Sequence, residues 1–320
     1  MSENKKKSNV SQNPIQEVEA TVNEMTTDSH IQKLISALDE EKVDVVKNVI
    51  LNFISFELKK HENILKKYHI LIQFDDTVMR RVDADNIYKS LKQIPEDTPK
   101  DILLVLYSFG GDVASAYLIS KLCREFTKEK VVVAVPRLAK SAATLICCGA
   151  DEIHMGSLSE LGPIDPQING LPALGLKNTI KHIAETSSIY PDSSTLFADY
   201  LAKTIKPIDL GYFDRIVESA SQYAQRLLSQ RNKRLQPDKI QKLADHLVYD
   251  YNDHGFVIDK IEATEIFGGE IVKIDSIEYL FSDAVYSLFS FISGLCSYKY
   301  KFYFIGSCDL NQSVGLLPKK

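Results

Sequence analysis

Residues 138–166 read LAKSAATLICCGADEIHMGSLSELGPIDP, and this stretch decides the fold class. Ser141 follows the apolar run KVVVAVP and opens a segment rich in Ala, Leu, Ile and Cys. A core helix seldom needs a hydroxyl there, and a surface helix seldom carries so many apolar side chains. Ser141 therefore has two compatible interpretations: a helix N-cap, which contributes about 1 kcal/mol, or a nucleophile presented to a cleft.

The chain around this stretch alternates apolar strands with helices. DILLVLYS and KVVVAVP are continuous apolar runs, and EIHMG predicts a third strand. VASAYLISKLCREF and SAATLICCGA predict the helices between them. Continuous apolar runs indicate strands that are covered on both faces. The pattern therefore predicts a layered α/β core.

Two further segments carry candidate functional residues. In YSFGGDVASA, Gly110 and Gly111 let the backbone turn sharply and leave amide groups unobstructed for an anion, although a simple turn explains them equally well. In SLSELGPIDP, the glycine and the two prolines make a stiff loop that holds Asp165 in place. Taken alone, Asp165 is typical of a β-turn.

The order and spacing of SFGGD, KSAATLI, GADEI and GPIDPQ resemble those of the ClpP/crotonase-like peptidases. The resemblance is to the serine dehydrogenase proteinases in particular, which are related to the signal peptide peptidase A group. Its strong part covers about residues 100–170, and a weaker part extends to about residue 275. It implies an α/β, ClpP/crotonase-like fold of repeated β-β-α units, with the active site at the helix N-termini.

The resemblance also implies roles for particular residues. Ser141 corresponds to the nucleophile, and the amides of Gly110, Gly111 and Ala142 correspond to the oxyanion hole. Small side chains around Ser141 would let a substrate backbone approach it closely.

The base implied by this branch is a histidine that follows an aspartate. The branch is described as using the order serine, aspartate, histidine. His254, in NDHGFVIDKIEATEIFGG, matches its later segment, and Asp165 would orient that histidine.

A serine–lysine dyad is the alternative, as in the signal peptide peptidase A relatives. Lys181 lies 40 residues after Ser141, close to the spacing in those relatives. A lysine base needs burial to lower its pKa, and the segment KNTIKH is polar. His254 is therefore the preferred base.

The function implied by the resemblance is that of a serine endopeptidase, which cleaves polypeptides through an acyl-enzyme without metal or organic cofactor and works as a homo-oligomer. Two alternatives come from other classes. One is a crotonase relative that handles acyl-CoA esters, and the other is a catalytically silent ClpP-like scaffold.

Composition bounds the compartment and the partners. The net charge of −5 argues against a nucleic-acid binder, and the five cysteines show no metal-binding spacing. The N-terminus lacks the apolar run of a secretory signal, so we expect a cytoplasmic protein. An apolar stretch at 279–298 has about the length of a membrane span, which makes membrane association the minor alternative.

The chain divides into four predicted segments. Residues 1–28 are polar and predicted to be a disordered tail, and 29–66 are predicted to be a helical extension. Residues 67–284 would form the peptidase domain. Residues 285–320 match no motif and would be either a helix followed by an edge strand or an element that packs on a partner subunit.

Overall fold

A computed structural model describes residues 26–40, 42–95, 101–127, 129–168, 171–204, 207–232 and 235–319. Most of the predicted tail, residues 1–25, lies outside the described residues. Among the described residues, the first helix begins at Thr27, two residues before the predicted helical extension. The Thr26 side chain caps it by accepting a hydrogen bond from the Ser29 amide at 3.3 Å.

The described residues form twelve α-helices and eleven strands. The helices are α1 (Thr27–Asp39), α2 (Val43–Leu58), α3 (Glu62–Lys67), α4 (Arg81–Leu91), α5 (Val113–Phe126), α6 (Ala142–Cys148), α7 (Ala173–Ile189), α8 (Ser194–Thr204), α9 (Pro207–Ser229), α10 (Pro237–Tyr249), α11 (Lys260–Phe267) and α12 (Ile277–Cys296). The strands are β1 (Tyr68–Asp75), β2 (Asp101–Ser108), β3 (Val131–Val135), β4 (Leu138–Ala139), β5 (Glu152–Met155), β6 (Glu160–Leu161), β7 (Gln167–Ile168), β8 (Leu171–Pro172), β9 (Val272–Ile274), β10 (Tyr300–Gly306) and β11 (Val314–Pro318).

The main sheet is mixed, with the order β11-β10-β1-β2-β3-β5-β9. The five strands from β1 to β9 pair in parallel, while β10 and β11 add antiparallel strands beside β1. The short strand β4 pairs with both β2 and β6. The three apolar runs predicted as strands are the core strands β2, β3 and β5.

Side chains of the central strands alternate between two hydrophobic clusters, one on each face of the sheet. Along β2, Ile102, Leu104 and Leu106 belong to the first cluster, and Leu103 and Val105 to the second. β3 alternates in the same way. Burying each such side chain stabilises the fold by roughly 1.5–3 kcal/mol. Covering on both faces explains why these strands are continuously apolar.

The second face is covered by helices from both ends of the described chain. Phe53 and Ile54 of α2 share its cluster with Phe281 and Phe289 of α12. After α12 the chain forms β10 beside β1 and then β11 at the edge of the sheet. The predicted boundary between residues 284 and 285 lies inside α12.

Helix α12 is the membrane candidate among the described residues. It is long and apolar enough to cross a membrane, with a mean hydropathy of 1.3. The helix nevertheless buries Phe281, Val285 and Phe289 against the sheet. On its other side Leu280 and Phe291 are exposed, so the helix presents two apolar faces, one of which is in the core.

A buried carboxylate attaches the start of α12 to the start of β1. Glu278 Oε1 accepts hydrogen bonds from Tyr68 Oη at 2.7 Å and from Lys67 Nζ at 3.0 Å, and its Oε2 lies 3.5 Å from His154 Nδ1. Burial opposes ionisation of Glu278, but these hydrogen bonds outweigh it and lower its pKa to about 2. The charged form is thus part of the native packing.

We predict that Glu278 contributes to stability at neutral pH and loses that contribution in acid. Because the folded-state pKa lies below the unfolded value of 4.5, its stabilisation is complete above about pH 4.5 and is lost as the pH falls towards 2. Glu278→Gln should lower the free energy of unfolding at pH 7 by roughly 2 kcal/mol, with the difference from wild type shrinking below pH 4.5. Urea unfolding across pH measures this.

The control is Glu62→Gln, which removes an exposed pair with Lys66 in which both side chains are more than 70% accessible. An exposed pair contributes little, so this variant should unfold like wild type at every pH. Equal losses in the two variants would show that the buried position of Glu278 has no special role.

Candidate active site

Four short backbone segments lie side by side at the carboxyl end of β2. Ser108 of β2 pairs with Ala139 of β4, and Ala139 pairs with Leu161 of β6, both in parallel. Leu161 then forms an antiparallel bridge with Ile258, with N–O distances of 2.9 and 3.1 Å. The bridge brings a segment distant in sequence next to β6, which itself pairs with the strand that precedes Ser141.

This register positions the predicted site residues. Gly110 lies two residues after Ser108, and Ser141 lies two residues after Ala139. Because Ser108 and Ala139 pair with each other, Gly110 and Ser141 follow the same edge of the sheet. Counting four residues forward from Leu161 and four back from Ile258 reaches Asp165 and His254. Beyond this bridge the two segments leave the ladder, and the Asp165 and His254 side chains approach each other at 3.6 Å.

Ser141 occupies a strained turn immediately before α6. Its φ of 51° and ψ of −116° lie in a region that L-residues rarely adopt. It stands at the N-cap position, but its side chain makes no capping hydrogen bond. The hydroxyl is therefore not used as a cap, and the side chain is partly exposed. Strain of this kind is concentrated at functional sites.

The glycine pair has no room for side chains. Gly110 has a φ of 95°, and a Cβ there would lie 2.6 Å from the Lys140 carbonyl oxygen and 3.0 Å from the Ala142 nitrogen. A Cβ on Gly111 would lie 2.4 Å from the Met79 nitrogen. Both glycines are therefore required by close backbone approach, and Gly110 lies directly against the Ser141 turn.

The amides around this turn are not equivalent. The Gly110 N–H donates to Ser108 Oγ at 3.1 Å, so this predicted donor already has an acceptor. The Met79 amide donates to the Gly110 carbonyl at 2.8 Å, and the Asp112 amide donates to the Met79 carbonyl at 3.0 Å. These bonds hold the loop on both sides of Gly111. In the described part of the chain, the Gly111 and Ala142 amides have no acceptor.

Asp165 and His254 come together although they are 89 positions apart in sequence. His254 Nδ1 lies 3.6 Å from Asp165 Oδ2, slightly beyond hydrogen-bond length. Asp165 is 7% exposed, and its Oδ2 accepts a hydrogen bond from Gln167 Nε2 at 2.8 Å. His254 Nδ1 and Asp165 Oδ1 are buried and have no hydrogen-bond partner among the described residues. A closer approach of the His254 ring to this carboxylate would give Nδ1 a hydrogen-bond partner.

Lys181 lies in a different environment. It is on α7, where its side chain is 76% exposed and its Nζ lies 4.0 Å from Glu185 one helical turn later. The structure does not place Lys181 in the apolar surroundings that a lysine base requires. In the described residues, no group of three or more His, Cys, Asp or Glu side chains is arranged to hold a metal ion.

Two residues near Ser141 in sequence make contacts that no sequence pattern predicted. Thr144 Oγ1 lies 2.7 Å from the carbonyl oxygens of both Ala139 and Gly162, which joins α6 to the Asp165 loop. The Lys140 side chain is only 11% exposed, and its ammonium donates to groups on two other segments. The only sequence signal was the position of Lys140 beside Ser141, since its partners are distant in the chain.

A family model described as "ClpP-like SDH-type serine proteinase" matches residues 71–235. This is just over half of the chain. The chain belongs to this family. The family and the ClpP/crotonase-like α/β fold expected from the motifs are therefore confirmed. In its general class, the protein is a serine peptidase.

Relatives of this SDH-type proteinase include two uncharacterized proteins of Methanocaldococcus jannaschii. One is 30% identical over 152 residues, covering 46% of this chain and 50% of the relative. The other is 33% identical over 127 residues, covering 39% of this chain and 42% of the relative. The chain thus spans half or less of the length of these curated relatives.

Solved structures similar to this SDH-type proteinase include a mutant of the 1510-N membrane-bound stomatin-specific protease. That match has a TM-score of 0.42 and 16% identity, and it covers 67% of this chain and 83% of the other. ClpP1 from Listeria monocytogenes matches with a TM-score of 0.39 and 14% identity, covering 69% of this chain and 99% of the other.

We predict that Ser141→Gly is more stable than Ser141→Ala by about 1 kcal/mol, because glycine adopts the observed backbone angles without the strain that alanine keeps. Both variants lack the hydroxyl, so neither is expected to be active. Thermal and urea unfolding of the two variants measures the difference. A glycine variant that is equal to or less stable than the alanine variant would show that the turn is unstrained.

Proposed function

We propose that this SDH-type proteinase is a serine endopeptidase with Ser141 as nucleophile, His254 as general base and Asp165 as the group that orients the histidine. The observation that carries the proposal is the approach of His254 to Asp165 beside a strained, uncapped serine. Ser141, Asp165 and His254 come from three separate segments, and residues close to them in sequence pair at one end of the sheet, which supports this assignment.

The proposed reaction begins when Ser141 Oγ attacks the peptide carbonyl carbon. His254 Nε2 takes the serine proton and then gives it to the leaving amine as the C–N bond breaks. The product is an acyl-enzyme on Ser141. A water molecule then attacks this ester, again with His254 as base, and releases the acid product and free Ser141.

The oxyanion of each tetrahedral intermediate would be held by two backbone amides. Gly111 and Ala142 support this role because their N–H groups have no acceptor in the described part of the chain, whereas the Gly110 amide is used by Ser108 Oγ. Gly110 supports it sterically, because a Cβ there would lie 3.0 Å from the Ala142 nitrogen. Fixed amides stabilise developing charge without reorganising during the reaction.

The Asp165 carboxylate would keep the His254 ring in the correct tautomer. The separation of 3.6 Å between His254 Nδ1 and Asp165 Oδ2 suits a ligand-free site, in which catalytic hydrogen bonds are often long. Shortening this contact gives His254 Nδ1 an acceptor and leaves Nε2 for the serine. The exposed position of Lys181 disfavours the alternative serine–lysine dyad.

The proposed substrate is a polypeptide. Phe109 and Phe256 flank the site and are 51% and 43% exposed, which favours a chain bearing apolar side chains. We also propose a homo-oligomer in the cytoplasm, supported by five free cysteines and by exposed apolar side chains on α7 and α8 such as Ile189 and Leu196. Membrane association through α12 is the alternative location.

We predict that Ser141→Ala and His254→Ala abolish casein hydrolysis and labelling by a fluorophosphonate probe. Asp165→Asn should reduce the turnover number strongly, since an amide cannot stabilise the imidazolium. Lys181→Ala should keep normal activity, because that lysine is exposed on α7. Gel fluorescence of the labelled protein and release of acid-soluble peptides are the measurements.

The matched control is His246→Ala, which removes a histidine that pairs with Asp250 at 2.8 Å outside the proposed site. It should behave like wild type. Loss of labelling in Lys181→Ala, with His254→Ala active, would instead assign the serine–lysine dyad. If the wild-type protein is not labelled, the catalytically silent scaffold is favoured. If the unlabelled protein binds acyl-CoA esters, the crotonase alternative is favoured.

A further inference from the structure

The Lys140 ammonium connects three segments of the candidate site. Its Nζ donates hydrogen bonds to Glu160 Oε2 at 3.0 Å, to the Leu161 carbonyl at 3.2 Å and to the Phe256 carbonyl at 3.0 Å. We call these four residues the lysine clamp. Each N–H of the ammonium has one acceptor, and each acceptor comes from a segment that the proposed mechanism uses.

The clamp joins residues that are next to the reacting groups. Lys140 directly precedes Ser141, and Phe256 follows His254 by two positions. His254 and Phe256 belong to one tight turn, which is closed by a hydrogen bond from the Phe256 amide to the Asp253 carbonyl at 3.1 Å. Movement of the Phe256 carbonyl therefore carries the histidine backbone with it.

The surroundings are shaped around the extended lysine side chain. A Cβ on Gly162 would lie 2.6 Å from Lys140 Cδ, so any larger residue at that position would displace the lysine stem. The Lys140 side chain is 11% exposed, compared with 50% or more for surface lysines such as Lys60 and Lys66. Solvent and salt weaken the attraction between the charges of such a shielded ion pair less than that of an exposed pair.

The same contacts exclude Lys140 from acting as the base, despite its position beside Ser141. A lysine base must offer the lone pair of a neutral amine to the serine proton. Here all three N–H groups are donated to oxygen acceptors, one of which is the carboxylate of Glu160. The ammonium can hold groups in place but has no lone pair to accept a proton.

We propose that Lys140 is a positioning residue that fixes the His254 turn relative to Ser141. The inference rests on the proposed function, because it assigns His254 as the base. The clamp supplements the single backbone bridge between Leu161 and Ile258, which lies four residues from His254. Without the ammonium, the turn keeps its connection at Ile258 but loses the hydrogen bond at Phe256, two residues from the histidine.

The main test is Lys140→Met, which keeps the length and volume of the stem and removes the ammonium. We expect the turnover number for peptide hydrolysis to fall by about 10- to 100-fold, with KM changed less than about twofold, since misplacing a base by 1 Å has effects of this size. Hydrogen exchange of the amides at 251–258 should become faster. Lys140→Ala should regain turnover when propylammonium is added.

The matched control is Lys260→Met. Lys260 is also partly buried, at 22% exposed, and its Nζ contacts Ser157 Oγ and Asp275 Oδ2 at 3.1 Å, away from the clamp. It should keep wild-type turnover and wild-type exchange at 251–258. If Lys140→Met does not fold, Glu160→Ala replaces it, since this variant removes one acceptor on β6 and should lower turnover by about 3- to 10-fold.

The outcomes separate this inference from the proposed function. If Lys140→Met matches Lys260→Met in turnover and exchange while Ser141→Ala is inactive, the peptidase stands and the clamp is overturned. If Ser141→Ala keeps wild-type activity, the proposed function fails and so does a catalytic purpose for Lys140. Slow turnover, fast exchange at 251–258 and saturable rescue by propylammonium together establish the positioning role.

Discussion

Backbone pairing between four short segments is the constraint on which the site depends. Ser108, Ala139, Leu161 and Ile258 lie next to one another in register. A shift of one residue in the pairing of any two of these segments would turn their side chains to the opposite face of the sheet. It would also separate Ser141 from His254. The two-sided core beneath holds β2 in place, so the precision of the site comes from the sheet, while the loops only extend it.

The local part of this arrangement could be predicted from sequence, because continuous apolar runs and a glycine pair have short-range causes. The strands β2, β3 and β5 and the helices between them follow directly from such patterns. The proximity of Asp165 and His254 was expected only from family resemblance, since 89 residues separate them and no local sequence pattern encodes so distant a contact. The helix α12 was ambiguous because apolar composition is the same in a core helix and a membrane span.

Side-chain direction was the least predictable feature. Lys140 could have faced solvent on sequence grounds, and only the absence of a side chain at Gly162 gives its stem a path inward. The same limit applies to Ser141, whose N-cap position was expected but whose free hydroxyl was not deducible. Likewise, the two glycine amides look alike in sequence and differ in the structure, because Ser108 Oγ accepts from Gly110.

The second face of the sheet has a consequence for how the protein is made. Its cluster joins Ile54 and Ile72 to Phe281 and Phe304, so its completion requires residues more than 200 positions apart in sequence. Contacts of such high sequence separation form slowly. During synthesis, the strands that carry the Ser141 turn therefore emerge well before the helix and strand that cover their other side. The nascent chain must keep that apolar face from aggregating until residues 281–304 have left the ribosome.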